Sequence, residues 1–77
     1  MKTYYIVSGG FDPIHEGHVE MIKASAQASD GVIVLANSDD WLCRKKGKNF
    51  HTMKTRKAIL ENLKGVVDVL EFDDTDN

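Results

Sequence analysis

Disulfide bonding within the chain is excluded at once, because its 77 residues include a single cysteine, Cys43. One unpaired thiol suits a reducing compartment, so the expected location is the cytoplasm. Proline is as scarce, with Pro13 alone, and neither a low-complexity tract nor an internal repeat divides the chain. No apolar run nears the roughly 20 residues of a membrane span, and no signal-peptide pattern leads into the first apolar run. Ten basic residues against twelve acidic ones leave a net charge of −2. A domain-wide basic surface is therefore missing, and charge gives no reason to expect a nucleic-acid partner. What remains, 42% hydrophobic and 29% charged residues, is an ordinary globular composition at the lower size limit for one core.

The residues that are present fall into an alternating order. TYYIVS (3–8) is short, aromatic and β-branched and stops at Gly9-Gly10, which predicts a strand. From Gly17 to about Ser29, the residues Val19, Ile22 and Ala26 lie three and four apart, with Met21 and Ala28 beside them; this is an amphipathic helix. GVIVLA (31–36) is continuously apolar, as in a central parallel strand covered on both faces. Residues 37–51 show no period, carry the basic run RKKGK (44–48), and are expected to form a loop. Thr52 caps a second helix whose apolar face is Ile59, Leu60 and Leu63, with Gly65 as its stop. VVDVLEF (66–72) is a third strand, and it runs into the acidic stretch EFDDTDN (71–77).

The order β-α-β-α-β predicts an α/β fold with a Rossmann-like parallel sheet and right-handed crossovers. Ligands of such sheets bind beyond the carboxyl ends of the strands. Segments 9–18 and 37–51 both follow strands and precede helices, so they are expected to wall one pocket.

The first of these segments concentrates the unusual residues. Gly9 and Gly10 allow close approach of backbone to a ligand, Pro13 stiffens the turn, and Gly17 sits at the helix start. A helix N-terminus offers unpaired N–H groups and partial positive charge to an anion such as phosphate. His15 and His18, three apart, can present both imidazoles to one side and stabilise charge there. A single histidine at a helix start is more often a cap or a surface residue, but a pair in this setting is harder to explain so. HEGH lacks the H-E-x-x-H spacing of zinc peptidases and a third ligand, so no metal site is expected. GGFDPIHEG is neither a G-x-G-x-x-G dinucleotide fingerprint nor a P-loop.

GGFDPIHEGH resembles the G-x-F-D-x-x-H-x-G-H signature of the HIGH-motif nucleotidyltransferases, the cytidylyltransferase-like superfamily. The likeness runs along nearly the whole chain. NSDDWLCRKKGK is similar to the segment after the second strand in glycerol-phosphate cytidylyltransferases and heptose-phosphate adenylyltransferases, through Ser38, Asp39 and Lys45-Lys46. HTMKTRKAILENL resembles the helix of that superfamily with an inward-reaching arginine, here Arg56. Two departures are evident: Gly47 interrupts the lysine pattern, and Lys64 stands where cytidylyltransferases often have arginine.

The resemblance implies a nucleotidyltransferase that moves a nucleoside monophosphate from CTP or ATP to a phosphorylated polyol or sugar, releasing pyrophosphate. It assigns catalysis to His15, His18, Lys45 and Lys46. Nucleotide binding falls to Gly9, Gly10, Phe11, Asp12, Gly17, Asp39 and Arg56, with Arg56 anchoring a phosphate. Mg²⁺ is expected to arrive with the triphosphate, with Asp12 orienting the loop or helping to hold the ion. The superfamily has a second half with further strands and a late phosphate-binding segment, so residues 1–77 are expected to be the N-terminal portion of the domain. Apolar surface left open by that portion, together with the dimers common in the superfamily, leads to an expected homo-oligomer. The alternative function is a nucleotide-binding or assembly module without turnover.

Overall fold

The computed structural model describes residues 1–73; the last four residues of the acidic stretch lie outside them. Along the chain come β1 (Tyr4–Gly9), α1 (Glu16–Gln27), β2 (Gly31–Asn37), α2 (Asp39–Lys46), α3 (Met53–Glu61) and β3 (Val66–Phe72). The three strands form one sheet in the order β1-β2-β3, and both pairings are parallel. No helix among the described residues is long and apolar enough to cross a membrane.

Both helix-bearing connections step in the same direction across the sheet. Right-handed crossovers then place both helices on one face. Ile22 of α1 and Leu60 of α3 accordingly share a single core with Phe11, Val32, Val34, Ala36 and Val69. Each fully buried aliphatic side chain there contributes about 1.5–3 kcal/mol. On the opposite face Ile33 and Leu35 are half-buried, while Ile6 and Leu70 are 64% and 46% exposed. Coverage of β2 on both faces is therefore corrected to coverage on one, among the described residues.

The expected loop 37–51 contains a helix instead. α2 is short and polar, and its determinants lie at its ends. Ser38 is the N-cap and its hydroxyl accepts from the Trp41 N–H, while Gly47, at φ 81°, ends the helix in the left-handed region. Asp39 and Asp40 occupy the first turn and Arg44, Lys45 and Lys46 the last, matching the helix dipole at both ends. Leu42 alone of its residues is fully buried.

Helix α3 is rotated from its expected setting. Its inward stripe is Met53, Arg56, Leu60 and, just beyond the helix, Leu63, whereas Ile59 is 40% exposed. The helix ends at Asn62, and Gly65 serves the turn before β3 rather than the helix stop. Rotation follows from Arg56, which is wholly buried. Its Nη1 donates to the carbonyls of Gly10 (2.9 Å) and Asn37 (2.6 Å), its Nη2 to Asp39 Oδ1 (2.7 Å), and its Nε to the His51 carbonyl (3.3 Å). One side chain thus ties the end of β1, the end of β2, the start of α2 and the entry to α3.

Removal of the guanidinium at similar volume tests this clasp. Arg56→Met takes the side-chain donor from the Gly10 and Asn37 carbonyls and the paired cation from the Asp39 carboxylate, so a loss of about 3 kcal/mol or more is expected in urea unfolding. A loss under about 1 kcal/mol would show that the strand ends hold their places without it.

Candidate active site

The site lies where the clasp brings the strand ends together. A cavity of about 370 Å³ is lined by Gly10, Phe11, Asp12, Pro13, His15 and His18 from the first segment, and by Trp41, Leu42 and Lys46 from α2. Two segments nearly thirty residues apart therefore do share one pocket. A slightly larger groove of about 390 Å³ runs along Val19, Ile22, Ala26 and Leu63 with Lys23 and Lys64 at its rim. That groove has an apolar floor without convergent polar groups, so the smaller cavity is the candidate site.

The histidines are built into the start of α1. His15 is the N-cap, and its Nδ1 accepts from the Gly17 N–H at 3.0 Å. His18 reaches back, and its Nδ1 accepts from the His15 N–H at 3.2 Å. This is a reciprocal capping box made from two imidazoles rather than from a hydroxyl and a carboxylate. The rings stack at 3.9 Å between centroids, and the edge of Phe11 meets His18 at 5.0 Å. Gly17 is needed for this arrangement, since a Cβ there would stand 2.9 Å from the His15 ring. An Nδ1 that accepts a hydrogen bond carries no proton, so each neutral ring has its proton on Nε2. Both histidines are therefore held as Nε2–H donors in the cavity wall.

Beside them the chain bends sharply. Phe11 is 2% exposed and has φ 53°, a left-handed backbone for a bulky residue. Its ring fills the core beneath the cavity, and its backbone turns the loop outward. The Asp12 carboxylate, 6% exposed, accepts from the Phe50 N–H (2.6 Å) and the His51 N–H (2.7 Å). Lys46 Nζ donates to the Asp12 carbonyl at 2.6 Å, which fixes α2 against the first loop. Lys45 is exposed, with Nζ 5.9 Å over the Trp41 ring.

Of the residues singled out from sequence, Gly10, Phe11, Asp12, His15, His18 and Lys46 line the cavity. Gly17 lies beneath His15, and Lys45 sits at the margin on Trp41. Asp39 and Arg56 lie behind the wall and bond each other at 2.7 Å. All the donor nitrogens of Arg56 face protein acceptors, so it builds the wall instead of offering a free phosphate contact. Burial pushes the Asp39 carboxyl up. Hydrogen bonds from Arg56, the Met53 N–H and Asn49, with the Arg56 charge, outweigh burial and leave it below its ordinary range. Among the described residues no three histidine, cysteine or carboxylate side chains converge as metal ligands. Sequence reasoning missed Trp41 and Leu42; the lone tryptophan two residues after Asp39 was the available signal.

Known proteins share this sequence pattern and fold. The family model described as Cytidylyltransferase-like matches residues 6–77. Glycerol-3-phosphate cytidylyltransferase of Bacillus subtilis (strain 168) is 32% identical over 65 residues, 84% of this chain and 50% of that protein. The bifunctional protein HldE of Methylococcus capsulatus is 36% identical over 70 residues, 88% of this chain and 15% of that protein. The crystal structure of a lipopolysaccharide core biosynthesis protein from Thermoplasma volcanium GSS1 superposes with a TM-score of 0.82 at 26% identity, covering 99% of this chain and 62% of that one. The chain thus spans half the length of the cytidylyltransferase it matches and a smaller share of HldE.

The cap geometry makes stability depend on pH. Burial, and then the neighbouring His15, lower the pKa of His18 from its ordinary 6.5. Between that lowered value and 6.5 the unfolded chain binds more protons than the folded one. The stabilisation is therefore complete above pH 6.5 and is lost as pH falls through the lowered value. Thermal unfolding of wild type should show a midpoint that drops below pH 6.5, and His18→Gln, which keeps a cap acceptor, should flatten that portion. An identical slope in both proteins would remove His18 as the group responsible.

Proposed function

The chain belongs to the cytidylyltransferase-like family, and on that footing we propose that it carries the phosphate-handling half of a nucleotidyl-transfer site. The substrates are a Mg²⁺-bound CTP or ATP and a phosphorylated polyol or sugar. The observation that carries the reading is the reciprocal cap, which holds two imidazoles as Nε2–H donors beside Lys46.

In the proposed reaction a phosphate oxygen of the acceptor attacks the α-phosphorus. The new O–P bond forms as the bond to the β-phosphate oxygen breaks, and the electron pair leaves with pyrophosphate. Little covalent work falls to the protein; positioning and charge stabilisation decide the rate. His15 and His18 donate through Nε2–H to oxygens on the α-phosphate as charge gathers there. The N-terminus of α1 adds its partial positive charge. Backbone N–H groups near Gly10 and Phe11 come close to the same phosphate, and Lys45 and Lys46 swing over the phosphates from α2.

Mg²⁺ enters as part of the triphosphate substrate. Both carboxylate oxygens of Asp12 already accept backbone N–H groups, so Asp12 suits loop orientation better than ion binding. Mg²⁺ commonly keeps its waters and the substrate phosphates as ligands, which asks for no protein cage.

Pyrophosphate release tests the proposal directly. Incubation with CTP or ATP, Mg²⁺ and either glycerol 3-phosphate or a sugar 1-phosphate should release pyrophosphate only when the acceptor is present. His18→Ala should lower that rate by about a hundredfold or more. Saturable nucleotide binding with no release from any pair would instead favour a binding module, and binding unaffected by His15→Ala and His18→Ala would reject the site.

A further inference from the structure

One polar atom in this cavity wall has no assigned role. Among the described residues, Trp41 Nε1 is the buried side-chain nitrogen or oxygen without any hydrogen-bond partner. Buried indole N–H groups ordinarily find an acceptor, because an unmade bond in a dry site is costly. Trp41 is on α2 and lines the cavity across from the histidines. Its backbone is fixed, since its own N–H donates to the Ser38 hydroxyl at 3.1 Å. Ser38 in turn donates to Asp73 at 2.9 Å. An anchored helix therefore carries an unmatched donor on a residue that lines the cavity, together with two histidines and Lys46, all donors, and with Asp12, whose oxygens already accept from Lys46, Phe50 and His51.

The acceptor oxygens of Asp12 are taken by other donors, and a phosphate supplies several more. We propose that Trp41 reads the ligand, its indole N–H donating to a phosphate oxygen of the molecule held by His15, His18 and Lys46. The inference rests on the nucleotidyl-transfer reading and adds a specificity residue on α2 to it. Beside the indole on α2, Lys45 is exposed with its Nζ over the ring at 5.9 Å, while Lys46 Nζ is held by the Asp12 carbonyl at 2.6 Å. On binding, Lys45 leaves the ring for a phosphate oxygen, and Nε1, buried in the free chain, comes within reach. The phosphate belongs either to the triphosphate or to the acceptor, and two probes separate these sources.

Because Trp41 is the single tryptophan, a ¹⁵N-labelled chain gives one indole N–H cross-peak. Inorganic tripolyphosphate and glycerol 3-phosphate are titrated separately, with calorimetry on wild type, Trp41→Phe and His15→Ala. Saturation with one probe should move the indole proton downfield, and Trp41→Phe should bind that probe roughly tenfold or more weakly. A response to tripolyphosphate places Trp41 on the nucleotide, and a response to glycerol 3-phosphate places it on the acceptor. If wild type and Trp41→Phe bind alike and the cross-peak stays still while His15→Ala weakens binding, the inference about Trp41 fails and the site reading stands. If wild type binds neither probe, or His15→Ala binds as wild type does, both fail. Should Trp41→Phe not fold, the wild-type cross-peak decides alone.

Discussion

The buried guanidinium of Arg56 is the constraint on which the rest of the structure depends. A cation without water is expensive unless its hydrogen-bonding groups are met. Here they are met by the carbonyls where β1 and β2 end, by a carboxylate at the start of α2 and by the carbonyl before Thr52. Those acceptors lie in four separate parts of the chain, so satisfying Arg56 assembles the carboxyl edge of the sheet. The rotation of α3, which leaves Ile59 outside and Leu60 inside, follows from turning Arg56 inward. Asp12 is its counterpart of opposite sign. By accepting from two consecutive N–H groups it laces the first loop to residues 50 and 51. It also removes an obstacle, because a bare carboxylate in the wall would repel phosphate, and one neutralised by close donors repels it much less.

The histidines illustrate a related economy of position. Each imidazole serves the backbone through Nδ1, which leaves Nε2, at the other end of the ring, for the proposed contact with a ligand. Local hydrogen bonds thereby set the tautomer before any ligand arrives, which is preorganisation in its simplest form. The lowered pKa of His18 belongs to the same arrangement. Burial disfavours its charged form first, and the stacked His15 adds to that. Positive potential at the cavity then comes from the α1 terminus and Lys46, while the rings contribute directed donors.

Much of this was legible in the sequence, and the exceptions have identifiable causes. The three strands and α1 announced themselves through apolar runs and the spacing of Val19, Ile22 and Ala26. The histidine pair after Gly9-Gly10 pointed to the sheet edge at which the cavity lies. α2 escaped because its stability lies in Ser38, Gly47 and the order of its charges, none of which produces an apolar period. Resemblance gave Arg56 an inward direction and a phosphate to anchor; its four protein acceptors are scattered along the chain and have no sequence signal. Coverage of β2 was over-read, since Ile33 and Leu35 are as apolar as Val32 and Val34. Composition cannot say which face the crossovers leave open. Trp41 was passed over because one aromatic residue in a polar stretch has no pattern to belong to.

These differences divide the site into two kinds of wall. The first wall cannot change without disturbing the backbone, since His15, His18, Gly17 and Asp12 each hold a main-chain group in place. The second wall, α2, is fixed by its ends: Ser38 and Gly47 cap it, and Asp73 accepts from both Ser38 and Arg44. Between those caps, Trp41, Lys45 and Lys46 project from a helix whose fold needs only Leu42 inward. Side chains there can alter what the cavity recognises at little cost to the sheet. On the proposed reading, the groups that act on a phosphate are thus separate from the groups that choose the molecule bearing it, and that choice falls to the helix whose apolar pattern is weakest.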